Sequence, residues 1–331
     1  MTRFAFLDLV PVVEGGDVAQ SLARAADLAA HAETLGFHRY WVAEHHGMDG
    51  IASAATAVVI AHIGHATRRI RVGAGGIMLP NHAPLVIAEQ FGTLDALFPG
   101  RIDLGLGRAP GSDGRVARAL RRTLASDPND FPRDVMELRS YFADDGATGI
   151  RATPGAGARP EMWVLGSSTF GAQLAAALGL PFAFASHFAP DSLDMALHLY
   201  RRDFRPSTAL ATPYAMAGFN VFAAETDAEA EYLASSQQQA FVSLRTGNPR
   251  RLPPPVEGYR DTMGEQGRAI LDHVLQCSAV GSPATVARGI AAFVERTGVD
   301  EVMVASAIHD HDARKRSLAI TAEAVREVEA A

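Results

Sequence analysis

Several features are scarce in this sequence, and each scarcity excludes a class of protein. Its 331 residues include one cysteine, Cys277, so no disulfide can form within the chain. We therefore expect a reducing, cytoplasmic location, and the start of the chain through Arg3-Phe4-Ala5-Phe6 does not form a signal-peptide pattern. No apolar run is long enough to span a bilayer. The net charge is -7 and the arginines are scattered, which argues against a nucleic-acid or anionic-membrane surface.

What is present is enough apolar sequence for one large core. Hydrophobic residues make up 48% of the chain and charged residues 20%. Apolar runs with strand character alternate with runs of helical spacing. The expected strands are Phe4–Val10, Phe37–Ala43, Ile70–Gly75, Ile102–Gly107, Met162–Gly166, Phe182–Ser186, Tyr214–Ala223 and Glu301–Ser306. Eight strands alternating with helices predict an α/β fold, a closed (β/α)8 TIM barrel forming one domain over residues 1–331; an open doubly wound sheet is the alternative.

The expected helices have ordinary signals at their ends. Val18–Leu35 is followed by Gly36, a residue type that commonly lies just beyond a helix, and Pro84–Leu97 begins with the proline that suits a first turn. The segment Val280–Val286 predicts a turn in which Ser282 caps a helix.

Two segments interrupt the alternation of strands and helices. Gly146–Pro160 is rich in glycine, alanine and proline and is expected to be a loop or hairpin insertion. Thr246–Tyr259 contains four prolines and cannot form regular structure. A long segment of this kind, called the proline-rich loop below, is commonly either a lid or disordered, and as a lid it would become ordered when a ligand binds.

Polar and glycine-containing segments follow several of the expected strands. In a parallel barrel the carboxyl ends of the strands form the functional face, so these segments should lie close together. They are Glu44-His45-His46, Gly75-Gly76, Gly105–Asp113, Gly166–Thr169 and Ser186-His187.

An anion site is one interpretation of two of these segments. Ser167 and Ser168 precede a helical pattern over Phe170–Leu178, where amides, hydroxyls and the helix dipole favour a phosphate. Arg108 adds a planar cation suited to phosphate oxygens. The simpler alternatives are that the serines only cap the helix and that Arg108 is a surface charge.

The glycines suggest close backbone approaches, not a dinucleotide loop. Gly105, Gly107 and Gly111 lack the helix and acidic residue that a dinucleotide fingerprint needs. Gly75-Gly76 would let a flat ligand approach the backbone, although two glycines alone favour a tight turn.

Four ordered blocks resemble the bacterial luciferase-like, flavin-dependent monooxygenases, and the similarity spans nearly the whole chain. The blocks are Phe37–His46, Val72–Pro84, Pro99–Arg108, and Leu165-Gly166-Ser167-Ser168 through Leu178-Gly179-Leu180-Pro181.

The resemblance implies a flavin site. Arg108 and Ser168, with the Ser167 amide, would hold the phosphate of FMN, and Leu165 belongs to the same flavin segment. Gly75-Gly76 matches a non-prolyl cis peptide beneath the flavin ring.

The resemblance also implies the chemistry. His45 matches a histidine near flavin C4a that acts as a base or orienting group, with Glu44 and His46 tuning it. The implied reaction uses reduced FMN from a separate reductase and O2, through a C4a-peroxyflavin, to oxygenate a small organic substrate.

Two positions depart from the light-emitting members of that family. Gly107 replaces a reactive cysteine beside the flavin, and His187 matches a tryptophan of the pocket. Light emission is therefore not expected, and His187 is either a substrate-pocket residue together with His46 or a hydrogen-bonded wall residue.

Three alternatives stay open at this stage. A deazaflavin-dependent oxidoreductase of the same fold would use the same phosphate site, and a non-catalytic flavin-binding homologue would explain Gly107 and His187. A metal-dependent barrel hydrolase would use His45, His46 and His187, with His309 or His311 and Glu44. We predict no metal, because adjacent histidines on an extended strand point to opposite sides.

Homodimerisation through the apolar helices of residues 53–98 is expected from the resemblance.

Overall fold

The structure is a computed structural model that describes residues 2–108, 116, 119–120, 130–146 and 149–330, of which 327–330 by their backbone alone. Part of the predicted rim segment Gly105–Asp113, including Gly111, lies outside the described residues, as do residues 147 and 148 of the predicted insertion.

Nine strands and ten helices are described, together with two short 3-10 turns, Leu79–Asn81 and Tyr259–Thr262. The strands are β1 (Arg3–Asp8), β2 (Arg39–Val42), β3 (Arg71–Met78), β4 (Ile102–Gly107), β5 (Glu161–Gly166), β6 (Phe182–Phe184), β7 (Ala215–Ala223), β8 (Ser278–Gly281) and β9 (Glu301–Ala305). The helices are α1 (Val18–Leu35), α2 (Thr56–Ala66), α3 (Pro84–Leu97), α4 (Phe131–Ala143), α5 (Thr169–Leu178), α6 (Leu193–Asp203), α7 (Asp227–Arg245), α8 (Glu265–Val274), α9 (Pro283–Thr297) and α10 (His311–Ala330).

The strands close into a parallel barrel. Strands β1 to β6 pair in sequence order, β6 pairs with β7, β7 with β9, and β9 with β1. The predicted (β/α)8 barrel is confirmed and the open sheet is wrong. All eight predicted strands are present.

Strand β8 is additional and was not predicted. It pairs only with the far end of β7, where Asn220 to Ala223 face Ser278 to Gly281, so it lies outside the eight-stranded ring. The predicted turn is therefore wrong for Val280 and Gly281, which belong to β8. We missed this strand because the apolar pattern of its four residues is too short to be recognised. The following helix does begin at Pro283, and Ser282 occupies the position before it without a side-chain bond to the helix amides.

Local sequence signals explain the helix boundaries. Asp17 accepts a hydrogen bond from the Gln20 amide at 2.8 Å at the start of α1, and Gly36 ends this helix with a φ of 90°, which glycine adopts freely. Pro84 occupies the first turn of α3, as predicted.

The amino-terminal end of the barrel contains buried charges that we did not predict. Arg39, at the start of β2, is 1% exposed and bonds Asp103 of β4 and Glu301 of β9, both at 2.8 Å. Arg71 bonds the other oxygen of Asp103, and Glu161 lies 3.3 Å from Arg39. This network joins five strands at the face that barrels use for stability and not for catalysis.

The proline-rich loop is irregular, as predicted, but it is firmly attached to the barrel. Leu252 is buried and exchanges backbone hydrogen bonds with the segment at Val12 and Glu14. The Arg251 guanidinium bonds the Asp49 carboxylate and the Gly16 carbonyl.

The described part of the Gly146–Pro160 insertion is also irregular. No helix among the described residues is long and apolar enough to cross a membrane.

Candidate active site

The predicted site residues lie at one end of the barrel. Glu44-His45-His46 follows β2, Gly75-Gly76 lies in β3, and Arg108 follows β4. Ser167 and Ser168 lie between β5 and α5, and His187 follows β6. Because all the strands are parallel, these positions share the carboxyl-terminal rim.

Glu44 is the acceptor for a cluster of donors at this rim. Its side chain is 1% exposed, and Oε1 accepts hydrogen bonds from Nε2 of His46 at 2.8 Å and Nε2 of His82 at 2.9 Å. Oε2 accepts from the Met78 amide at 3.1 Å. Burial alone would raise the pKa of Glu44, but the bonds from His82, His46 and Met78 outweigh burial and the pKa lies below its ordinary value.

His82 is a site residue that sequence reasoning missed. It follows the 3-10 turn Leu79–Asn81 at the end of β3, and this turn brings its ring back to Glu44. A histidine in a segment that directly follows a glycine-rich strand was the available signal. His45, by contrast, is partly exposed at the rim beside buried Glu44. Its role as base or orienting group stays a prediction.

Close packing within the chain requires glycine at positions Gly75 and Gly76 of β3. The peptide bond between Gly75 and Gly76 is cis, as the resemblance implied. A Cβ on Gly76 would lie 2.6 Å from the Gly105 carbonyl oxygen, and a Cβ on Gly75 would lie 2.9 Å from Trp41. The register between β3 and β4 shifts here. The tight-turn interpretation is therefore wrong, since both glycines lie inside a strand.

The predicted anion-binding residues meet at the start of α5. The Arg108 guanidinium carbon lies 4.1 Å from the centre of the Phe170 ring, in the first turn of α5. Arg108 forms no salt bridge with a carboxylate of the described residues. Ser168 occupies the N-cap position, but its side chain makes no capping hydrogen bond. Among the described residues, no carboxylate pairs with this cation, and the hydroxyl does not cap the helix at whose amino terminus it lies.

Leu165 packs beneath this region and does not present a polar group to it. Its Cδ atoms would lie 2.5 Å from a Cβ on Gly105 and 3.2 Å from a Cβ on Gly76. The side chain thus fills the space that the two glycines leave open and supports the strand ends around the site.

His187 is a wall residue with an unusual environment. Its Nδ1 is buried and has no hydrogen-bond partner among the described residues, because the ring packs directly against the backbone of Gly218. Burial lowers the pKa of His187 to about 4, so the imidazole is neutral at neutral pH. Its carbonyl accepts a hydrogen bond from Asn220 Nδ2 at 2.7 Å. The backbone carbonyl of His187 is thus hydrogen-bonded and Nδ1 is not, and a substrate-pocket role for the ring stays a prediction.

A buried amide network continues from His187 across the rim. Asn220 Oδ1 accepts from Gln237 Nε2 at 3.1 Å, and Gln237 Oε1 accepts from the Ala307 amide at 2.8 Å. The network joins β7, α7 and the segment after β9. We did not predict it; the run of uncharged polar residues in the middle of α7 was the available signal.

Of the residues of the metal-hydrolase alternative, the structure brings Glu44 and His46 into contact but does not bring His309 or His311 to them. His309 contacts the Glu14 carbonyl and His311 pairs with Asp27, away from Glu44. The set whose ligand atoms lie within 4.8 Å of one another is instead Glu44, His46 and His82.

Comparison with known proteins identifies the family to which the chain belongs. The sequence profile of luciferase-like monooxygenases matches residues 2–301. The chain belongs to the luciferase-like monooxygenase family. A luciferase-like monooxygenase of Escherichia coli strain K12 is 50% identical over 326 residues, covering 98% of this chain and 97% of that protein. The N-acetyl-S-alkylcysteine monooxygenase of Bacillus subtilis is 37% identical over 256 residues and 75% of each protein.

Solved structures extend the comparison to cofactors. Apo-MsnO8 is 35% identical, with a TM-score of 0.87 over 98% of this luciferase-like chain and 99% of that one. The oxygenating constituent of 3,6-diketocamphane monooxygenase from Pseudomonas putida, a type II Baeyer-Villiger enzyme in complex with FMN, has a TM-score of 0.72 at 20% identity over 97% of each chain. An F420-dependent secondary alcohol dehydrogenase has a TM-score of 0.69 at 15% identity over 99% of each chain. The last two share the fold with this chain.

Proposed function

We propose that this protein is an FMN-dependent monooxygenase that uses reduced FMN from a separate reductase and O2 to oxygenate a small organic substrate. The observation that carries the proposal is the position of Arg108 against Phe170 at the amino terminus of α5. At the same helix end, the Ser168 hydroxyl makes no capping hydrogen bond. Family membership and the 37% identical monooxygenase relative support the reaction class.

The residues at α5 fit a phosphate group. A guanidinium presents a planar set of donors that matches phosphate oxygens, and the Phe170 ring beneath it limits its freedom. The Ser168 hydroxyl and the Ser167 amide supply further donors beside the positive end of the helix dipole. Three kinds of donor, together with the helix dipole, thus support a phosphate site where the resemblance places the FMN phosphate.

At the end of β2, on the same rim, Glu44 positions the side chains of His46 and His82. Both of its oxygens are occupied by donors and its pKa is lowered, so it is an anion that orients His46 and His82 and not a proton donor. We therefore assign the proton-transfer role to His45 and a positioning role to Glu44. When bound and reduced, FMN supplies the electrons that activate O2.

The proline-rich loop is placed to exclude water from this rim. Arg251 bonds Asp49, which is three residues beyond His46, and Leu252 bonds the segment after β1. The loop thus connects the segments that follow β1 and β2. Excluding water favours oxygen transfer to the substrate over release of peroxide.

A deazaflavin cofactor is the second candidate, because an F420-dependent dehydrogenase has the same fold. Both cofactors carry phosphate, so the Arg108 site alone does not distinguish them. Equilibrium titration of the protein with FMN and with F420 separates the two candidates, and tighter binding of F420 would replace the first proposal with the second.

The phosphate site is tested by comparing FMN with riboflavin, which lacks the phosphate. We expect Arg108→Gln to weaken FMN binding about 10- to 100-fold, as expected for losing a charge-assisted contact, and to leave riboflavin binding unchanged. Arg202→Gln is the matched control, since Arg202 is exposed and pairs with Asp203 far from the rim. Equal losses for both flavins would contradict the phosphate assignment.

The role of His45 is tested by turnover. His45→Ala should lower oxygenation of a substrate by about 100-fold or more if the imidazole transfers a proton, with FMN binding retained. Unchanged turnover would assign the proton transfer to another group.

We further propose that the protein is a homodimer through α2 and α3. These helices carry exposed apolar side chains, with Val58 69%, Val86 43% and Leu97 51% exposed. Val58→Glu should shift the sedimentation coefficient to that of a monomer, whereas Met195→Glu, at a similarly exposed apolar residue of α6, should not. A dimer that survives Val58→Glu would contradict this interface.

A further inference from the structure

We propose that Glu44, His46 and His82 form a binding site for one divalent transition-metal ion of the Zn²⁺ class, and that the bound ion inhibits the enzyme at the rim. Metal binding is inferred from the residues alone, whereas the inhibition rests on the enzyme activity proposed above.

The distances between the three side chains suit a coordination sphere. Nε2 of His46 and Nε2 of His82 lie 2.8 and 2.9 Å from Oε1 of Glu44, and all candidate ligand atoms lie within 4.8 Å of one another. Around Zn²⁺, with bonds of about 2.0–2.1 Å, neighbouring ligand atoms lie roughly 2.9 to 3.4 Å apart. The two distances from the carboxylate oxygen are therefore within about 0.6 Å of this range, and the two imidazole nitrogens lie no more than 4.8 Å apart, so small side-chain shifts complete the coordination sphere.

The donor set has the chemistry of known metal sites. Two imidazoles and one carboxylate, with further positions open to water, bind Zn²⁺ and Fe²⁺ in many proteins. The Glu44 carboxylate is also held in position by its second oxygen, because Oε2 accepts a hydrogen bond from the Met78 amide. Such support by a backbone group orients a ligand and raises its affinity.

An ion can reach this site without opening the fold. The carboxylate is 1% exposed, but the side chains of His46 and His82 are 15% and 25% exposed. Without metal, each imidazole donates its Nε2 proton to Oε1. On binding, the ion takes the place of both hydrogen bonds and each neutral ring changes tautomer, so that its single proton moves from Nε2 to Nδ1 and no proton is gained or lost.

A metal ion bound at Glu44, His46 and His82 would change the active-site rim. The ion would take up the Glu44 carboxylate that orients both rings, one residue from His45. Binding should therefore inhibit turnover, and a chelator should restore it.

The test uses tag-free, flavin-free protein titrated with ZnCl2 in competition with a chromophoric chelator. We expect one Zn²⁺ per chain, and His82→Ala and His46→Ala should each weaken binding by about 100-fold or more. Co²⁺ can replace Zn²⁺ as a spectroscopic probe. The wild-type protein with Co²⁺ should show the absorption band of a tetrahedral or five-coordinate ion, and this band should be absent from His82→Ala. Circular dichroism of each variant separates loss of a ligand from loss of folding.

The matched control is His62→Ala combined with His65→Ala. These two histidines are exposed and three residues apart on α2, where they offer an incidental surface chelate. If Zn²⁺ binding is lost in this control and kept in folded His82→Ala, the proposal is overturned. Absence of stoichiometric binding by the wild-type protein would overturn it equally.

Discussion

Acidification should destabilise this protein through His187 in a way that a single substitution removes. The ring packs against Gly218, its Nδ1 is buried, and burial lowers its pKa from 6.5 to about 4. In the unfolded chain the same imidazole titrates at its ordinary value. Folding therefore excludes a proton that the unfolded chain binds, which links stability to pH.

The sign and size of the effect follow from the two pKa values. A depressed pKa contributes no penalty above pH 6.5, and stability is lost progressively as the pH falls toward about 4. At about pH 5 nearly every unfolded molecule carries the proton and about one folded molecule in ten does, which corresponds to roughly 2 kcal/mol of lost stability. Between about pH 7 and 5 the wild-type protein should lose this amount beyond its other acid effects.

The assay is urea unfolding of the wild-type protein and of His187→Gln at both pH values. Glutamine does not ionise, so the variant should lose roughly 2 kcal/mol less than the wild type over this interval, whatever its stability at neutral pH. His62→Gln, at an exposed histidine of α2, should behave as the wild type does. If wild type and His187→Gln lose the same stability on acidification, the buried neutral imidazole is refuted.

Three further predictions concern the barrel and its loop. Asp103→Asn should destabilise by roughly 3–5 kcal/mol in urea, because it removes a partner of buried Arg39, and a loss below about 1 kcal/mol would contradict the network. Gly105→Ala should destabilise by roughly 1–3 kcal/mol, since its Cβ would lie 2.4 Å from a carbonyl oxygen, whereas Gly264→Ala, with open space, should change stability little. Arg251→Gln should increase protease cleavage of the proline-rich loop and FMN should protect the wild-type loop; equal cleavage with and without FMN would exclude a lid.

The architecture was predictable because its signals are local and repeated. Each barrel strand is a short apolar run, and helix α3 begins at the proline that the sequence places there. Strand β8 was missed because only four residues form it and its partner is the far end of β7. A strand whose single neighbour is distant in sequence has little apolar periodicity of its own.

The candidate site was predictable in its location and only partly in its contacts. The rule that parallel strand ends meet placed Glu44, Arg108 and Ser168 on one rim. The hydrogen bond from His82 to Glu44 depends on how a 3-10 turn redirects the chain, and the link between Asn220 and Gln237 depends on how α7 packs on the barrel. Such contacts are set by tertiary packing, which sequence spacing does not encode.

A crystal structure of the protein with FMN would test the proposed flavin site without further inference. We expect the FMN phosphate within hydrogen-bonding distance of Arg108 and Ser168, at the amino terminus of α5, with the flavin ring over Gly75-Gly76 and beside His45. A phosphate bound elsewhere, with Arg108 still stacked on Phe170 and without a ligand, would contradict it.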